Sequence, residues 1–345
     1  MTGRRAAGVI HILTIAAAYV GAVVGGGFAT GREVLHFFSS PTTAGGTALA
    51  IAGGGFILGG VALMMLSSRL DARSASELIA AAWSGPAGRR LAGPALGMFY
   101  FLILAVVYSA SGAVAGECGL SRSAGAIGMA AAVFVCLYVG PGAIRAVNLL
   151  LLALLGLTLL STALELSPLI PNGAGQDASP ADPVLYVSYN LIFAMAVFPG
   201  LAGKSEGVCL AGAALGGLSL AALCWAEWRI MMEVYRHVAG ADVPLRVAVA
   251  LVRPAAAPLY PLLIAWSLLT TGVAVGCGLV GQRLNRPAGW KTVLLVTVLP
   301  LPAAGINLAR LVRLLYPPLG WLCLMFWLRL FWRNAGHLLK RTSPV

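Results

Sequence analysis

The sequence predicts an all-α integral membrane protein of about ten transmembrane helices, arranged as five plus five in an inverted repeat with broken first and sixth helices. Three observations predict it. Of 345 residues, 59% are hydrophobic and only 10% are charged, against roughly 25% charged in a soluble domain. The mean hydropathy of +0.90 is a property of the whole chain, because apolar runs recur from residue 8 to about residue 332 instead of gathering in one anchor. The first and sixth of these runs, at matching places in the two halves, both carry residues that disturb a helix in lipid. A spanning helix takes about 20 apolar residues, so the length holds ten spans and no sizeable extramembrane domain.

Charged or Pro/Gly borders place the spans at 8–38, 44–68, 93–116, 123–140, 146–169, 184–202, 207–231, 256–282, 289–305 and 315–332. They form a single domain, 1–345, with halves at about 8–170 and 184–333. Five is odd, so the second half enters the bilayer with the opposite orientation. Arg4 and Arg5 ahead of an apolar run resemble a signal peptide, but the run outlasts signal length without a cleavage site and reads as a retained first span. After the second span, RSASELIAAAWSG opens with Ser74-x-x-Glu77, a capping box followed by an apolar face too short to cross. It is expected to lie in the interface. Pro244–Arg253, ahead of the eighth span, is expected to do the same, or to cap the exit.

The net charge of +12 would point a soluble chain toward nucleic acid. In a membrane chain its distribution matters more, because basic residues mark the cytoplasmic side. With both termini inside, 15 of the 23 Lys and Arg fall inside and 8 outside. Asp177 and Asp182 then lie outside. This favours a multi-pass protein of a bacterial cytoplasmic membrane, with lipid and a small solute as its partners and no nucleic acid. Six cysteines include no CxxC pair, and four histidines form no HExxH motif, so no metal cofactor or disulfide framework is expected. Trp321, Trp327 and Trp332 read as lipid-facing or interfacial anchors.

The first span carries the chemistry. AAAYVGAVVGGGFATGREVLHFF has glycines at 21, 25, 26, 27 and 31, followed by Arg32, Glu33 and His36. Glycines alone suit close packing as well as a binding site, as Gly55-x-x-x-Gly59 does in the second span. Ionisable residues within two turns favour a ligand-lining break at Gly25-Gly26-Gly27, since such groups at depth face an interior path. No strand precedes the run and GxGxxG spacing is absent, so it is no dinucleotide fingerprint. In the sixth span Ser188, Tyr189 and Asn190 form a polar cluster ahead of Pro199; an interhelical hydrogen bond would explain it alone. Interruptions at matching positions of inverted repeats point instead to a midplane solute site. In the eighth span Ser267, Thr270 and Thr271 share a face. Their oxygens suit a small hard cation, or each hydroxyl bonds back to its own helix.

These runs resemble a known group. GAVVGGGFATG in the first span and TTG in the eighth are similar to the LeuT-fold amino acid, polyamine and organocation transporter superfamily. GGGFATGRE (25–33) and YVSYN (186–190) resemble more closely the bacterial YkvI family of membrane proteins. The resemblance implies a sodium site made by carbonyls of Gly21, Val24 and Ser267 with the hydroxyls of Thr270 and Thr271. It also implies a solute site at Gly25, Gly26 and Gly27, opposite Tyr189 and Asn190, with Tyr108 closing one wall. Ala22 stands where sodium-coupled relatives place an asparagine, which argues against a second sodium. Residues 149–168 hold no lysine, which favours sodium over proton. Spans one, two, six and seven would rock against three, four, eight and nine.

The expected activity is sodium-coupled symport of a small zwitterionic solute such as an amino acid. A half-helix after Gly27 would point its positive end at a carboxylate. Arg32, Glu33 and His36 would form an outer gate through a charge pair, or a local structural salt bridge. The alternative is a ligand receptor on a transporter fold, as germinant receptor subunits resemble transporters. An enzyme is disfavoured because Glu165, Glu227 and the histidines do not cluster at catalytic spacings. A channel is disfavoured by the lack of a repeated pore-loop signature.

Overall fold

The computed structural model describes residues 2–38, 43–83, 86–140, 144–166, 179–202, 205–280 and 289–336. Among them every regular element is helical. The first span comes in three pieces, α1 (Thr2–Val23), α2 (Gly26–Thr30) and α3 (Arg32–Phe37). The second is α4 (Thr43–Arg69), and the capping-box segment is α5 (Ala75–Ala82). Spans three to five are α6 (Pro86–Glu117), α7 (Arg122–Val139) and α8 (Ile144–Glu165). The second half continues with α9 (Asp182–Val197), α10 (Glu206–Glu233), the short α11 (Tyr235–Val238) and α12 (Pro244–Val252). Three helices close the chain: α13 (Tyr260–Val280), α14 (Trp290–Val298) and α15 (Leu308–Arg333). Among the described residues seven helices are long and apolar enough to cross a membrane, and shorter apolar runs at Leu150–Glu165, Asp182–Val197 and Trp290–Gly305 match the remaining expected spans. Their outward faces carry Leu58, Leu157, Leu164, Leu262 and Leu322, all exposed, as lipid-facing surface requires.

Two packed groups enclose the site. α1, α4, α9 and α10 pack on one another as a bundle, while α6, α7 and α13 form a scaffold that α14 joins. Small residues set the bundle's spacing: a Cβ on Gly55 would lie 3.0 Å from Val187, and one on Gly59 2.6 Å from Leu191. The expected close-packing role of that pair therefore holds, with α9 as the partner. α2 leans across to the scaffold, touching α13 and α6, and α12 lies over α2, α3 and α10. The Ser74 hydroxyl caps α5 by accepting from the Glu77 amide at 3.3 Å, as the capping box predicts.

Three expectations need correction. The sixth span is one continuous helix through Ser188, Tyr189 and Asn190 to Val197, and in place of the expected break within it stands the turn Phe198–Leu201 around Pro199 that ends it. Polar side chains alone do not unwind a helix whose backbone bonds stay satisfied; a proline without an amide does. The tenth span begins at Leu308, not 315, because Asn307 caps it by accepting from the amides of Ala309 and Arg310. Pro317 and Pro318 are absorbed inside it, as membrane helices allow. Trp327 is not a lipid anchor. It is 3% exposed, and its indole donates to the Ser188 carbonyl at 2.8 Å, whereas Trp321 and Trp332 are exposed. Asp177 lies outside the described residues.

Candidate functional site

The break in the first span is built by diverted amides. The Gly25 amide turns back to the Val23 carbonyl at 2.8 Å, and the Gly26 amide bonds Thr271 Oγ1 at 3.1 Å. Neither closes the helical ladder onto the carbonyls of Gly21 and Ala22, which an unbroken helix would engage. A buried amide without a partner costs several kcal/mol in lipid, so Thr271 stabilises the break directly. The glycines are required by proximity. A Cβ at Gly25 would lie 2.6 Å from Thr271 Oγ1, one at Gly26 would collide with Leu268, and one at Gly27 with the Glu33 carboxylate. Gly31 turns the chain again at φ +73°, a left-handed conformation that glycine tolerates. A side chain there would also meet Leu245 of α12 at 2.6 Å.

On α13, the Ser267 carbonyl accepts from Thr270 Oγ1 at 3.0 Å and from Thr271 Oγ1 at 2.8 Å. Both hydroxyls thus bond back to their own helix, the bland reading of the TTG pattern, yet Thr271 also faces the break. Of the oxygens gathered on the Ser267 carbonyl, Thr271 Oγ1 is the one that lies against Gly25. The Ser267 hydroxyl is buried without a partner. Val24 is buried and Gly21 half-buried.

Glu33 does not pair with Arg32. The turn at Gly31 sends its side chain back over Gly27, and it is 5% exposed. Tyr189 donates to Glu33 Oε2 at 2.5 Å, and the Tyr316 hydroxyl lies alongside, both it and the Glu33 carboxylate crowding Gly27. The rings of Tyr189 and Tyr316 pack at 4.9 Å between centroids. Arg32 instead donates to the Ala241 carbonyl at 3.0 Å, and His36 stacks edge-on against Phe37. The charge pair expected of the trio is therefore replaced by three separate engagements, because the left-handed turn rotates Glu33 inward while Arg32 stays outside.

A cavity of about 20 Å³ lies at this junction, room for about one water. Gly25, Gly26, Gly27, Glu33, Asn190 and Thr271 line it, with Ala22, Val23 and Phe28 from the break, Ile103, Val106 and Val107 of α6, Phe193 of α9 and Tyr316 of α15. Asn190 lines the cavity while its amide nitrogen donates to the Tyr186 carbonyl at 2.9 Å. Tyr108 is not in this lining; its hydroxyl is buried without a partner. Tyr189 reaches the cavity through Glu33. Tyr316, Phe193 and the α6 valines escape sequence reasoning, since each belongs to an apolar or aromatic stretch with nothing to set it apart.

Above the break a clasp ties both groups together. Asp242 accepts from Arg122 of α7 and from Asn307 at 2.6 Å. Glu117, at the end of α6, accepts from Arg246 at 2.9 Å and from the Val243 amide at 3.1 Å. Arg32 joins through Ala241. α12 is thus the cap that its sequence allowed.

Broken first helix, bundle, scaffold and enclosed cavity define the class: the chain has the LeuT-type transporter fold. It superposes on the inward-facing conformation of Mhp1 with a TM-score of 0.63 at 14% identity, covering 90% of this chain and 73% of that one. It also matches a manganese transporter of Eremococcus coleocola, solved in complex with an aromatic bis-isothiourea substituted compound, at TM-score 0.54, 16% identity and 95% and 77% coverage. Within that class it is 28% identical over 348 residues to the uncharacterised membrane protein YkvI of Bacillus subtilis (strain 168), across 96% of each chain. This is the relative that GGGFATGRE and YVSYN pointed to. No family model matches the chain.

Proposed function

We propose that the protein is a secondary active transporter that moves a small zwitterionic solute, such as an amino acid, in symport with sodium by alternating access. One observation carries the reading: the broken first span, Glu33, Asn190 and Thr271 meet at one buried cavity between bundle and scaffold. In this reading the amides that follow the break take the solute carboxylate, and Glu33, oriented by Tyr189 and Tyr316, takes the ammonium. The Asn190 amide oxygen adds a second acceptor. The carbonyls of Gly21, Val24 and Ser267, with Thr270 and Thr271, hold sodium; neutral oxygens suit a hard cation.

A space for one water admits no amino acid, so the two groups must separate for entry. Arg32 and the clasp around Asp242 would form the outer gate, with both termini in the cytoplasm. A thermal-shift screen of the purified chain against amino acids, in sodium and in potassium, tests the proposal. Ligand stabilises the folded state by mass action, by about 2.7 kcal/mol at a hundredfold excess over Kd. A sodium-dependent shift is expected, with uptake of the same labelled solute into proteoliposomes. Uptake indifferent to sodium would remove the coupling ion, and binding without uptake would favour a receptor.

A further inference from the structure

The seventh span carries a second carboxylate that the solute site does not use. Glu227 of α10 has no exposed surface, and neither of its oxygens has a hydrogen-bond partner among the described residues. Four titratable groups lie within its electrostatic reach: Glu33 of α3, Tyr186 of α9, Tyr260 of α13 and Cys224 one turn back on α10. None donates to it. The Tyr260 hydroxyl donates to the Ala29 carbonyl at 3.3 Å, and Tyr186 meets Cys224 Sγ at 3.7 Å.

Three arginines on the neighbouring elements are engaged elsewhere, and Arg229 of α10 itself pairs with Glu233 at 2.8 Å. Arg246 of α12 holds Glu117, Arg69 of α4 holds Glu206, and Arg32 of α3 holds Ala241. His36 of α3 stacks on Phe37. Two buried acids thus lie within electrostatic reach of one another, and their hydrogen bonding differs sharply. Glu33 receives the Tyr189 hydroxyl at 2.5 Å, whereas Glu227 receives nothing among the described residues. An uncompensated buried charge costs far more than a neutral acid, and two neighbouring carboxylates do not both ionise.

We propose that Glu227 is a proton-binding site: it holds a proton in the closed chain while Glu33 carries the single negative charge of the pair, and it exchanges that proton with water when the outer half of the first span leaves α10. On opening, the Glu227 O–H bond breaks and the proton passes to a water, leaving a carboxylate; on closing, a hydronium returns it. Trp228, beside Glu227, donates to the Phe38 carbonyl at 3.0 Å, so movement of α3 is transmitted to this point of α10. Coupling of the exchange to solute movement rests on the transport reading, but the bound proton does not.

Infrared spectroscopy of the purified full chain in lipid at neutral pH tests it. The wild type should show the carbonyl band of a protonated carboxylic acid. That band should vanish in Glu227→Gln and persist, shifted, in Glu227→Asp. A band that survives Glu227→Gln overturns the proposal. So does one that appears only when sodium is replaced by choline, because the acid would then be an inorganic cation site. Failure of all labelled solutes to enter proteoliposomes would sink the transport reading and leave the band unaffected, so the two ideas fail separately.

Discussion

At position 25 a methyl group would press against Thr271 Oγ1 from 2.6 Å, the atom that accepts the Gly26 amide. Gly25→Ala should therefore cost about 1–3 kcal/mol of overpacking and, beyond that, abolish the ligand-induced thermal shift, read on the same purified protein. Tyr189→Phe removes the hydroxyl that donates to Glu33 while keeping the ring against Tyr316. A charge-assisted hydrogen bond contributes about 1.5–3 kcal/mol, so solute affinity should fall roughly tenfold to a hundredfold, at 1.4 kcal/mol per decade, with little change in fold; unchanged binding would separate Glu33 from recognition. At this scale the sequence was informative where residue type clashed with its surroundings. Glycines and charges inside an apolar run marked the break, and Glu33 was conspicuous. Its partners were not, because its direction depends on the left-handed turn at Gly31, and Tyr316 lies some 280 residues away with nothing in its neighbourhood to flag it.

Among the elements, the second span shows how glycine spacing sets distance. Gly59 faces Leu191 at contact, while a Cβ on Gly54 would have nothing within 4 Å. Gly59→Val should separate α4 from α9 and destabilise the protein by about 1–3 kcal/mol. Gly54→Ala should stay within about 0.5 kcal/mol of wild type. Thermal unfolding of the two variants side by side checks the difference, and equal losses would contradict the packing assigned to this face. Most helices were legible from hydropathy because lipid forces each span to satisfy its own backbone. The exceptions share a cause. α9 runs unbroken through its polar cluster and ends just before Pro199, and α15 runs through two prolines: in both, backbone amides and caps decide, not side-chain polarity. Trp327 was misread because its burial depends on the rotation of α15 against α9, which composition leaves open.

The whole molecule is held closed by few groups. The segment from Ala241 to Arg246 binds Arg32, Glu117, Arg122 and Asn307, which belong to or adjoin four separate spans. Asp242→Asn should loosen two of these ties together and favour open forms, seen as faster labelling of a cysteine placed at cavity position Val107; an unchanged rate would show that the clasp does not gate access. Orientation has its own test. Cys118, at the end of α6, is exposed, while the other five cysteines are buried or half-buried. With both termini inside, a membrane-impermeant maleimide should label Cys118 from outside intact cells. Labelling only after lysis would invert the topology.

The smallness of the central cavity bears on the cell as well as on the solute. Space for one water interrupts any continuous file of solvent from face to face, and it is the continuity of such files that lets ions and protons run down their gradients. A junction this tight is no conduit for ions. Copies resting in this state would leave the membrane voltage undischarged through it.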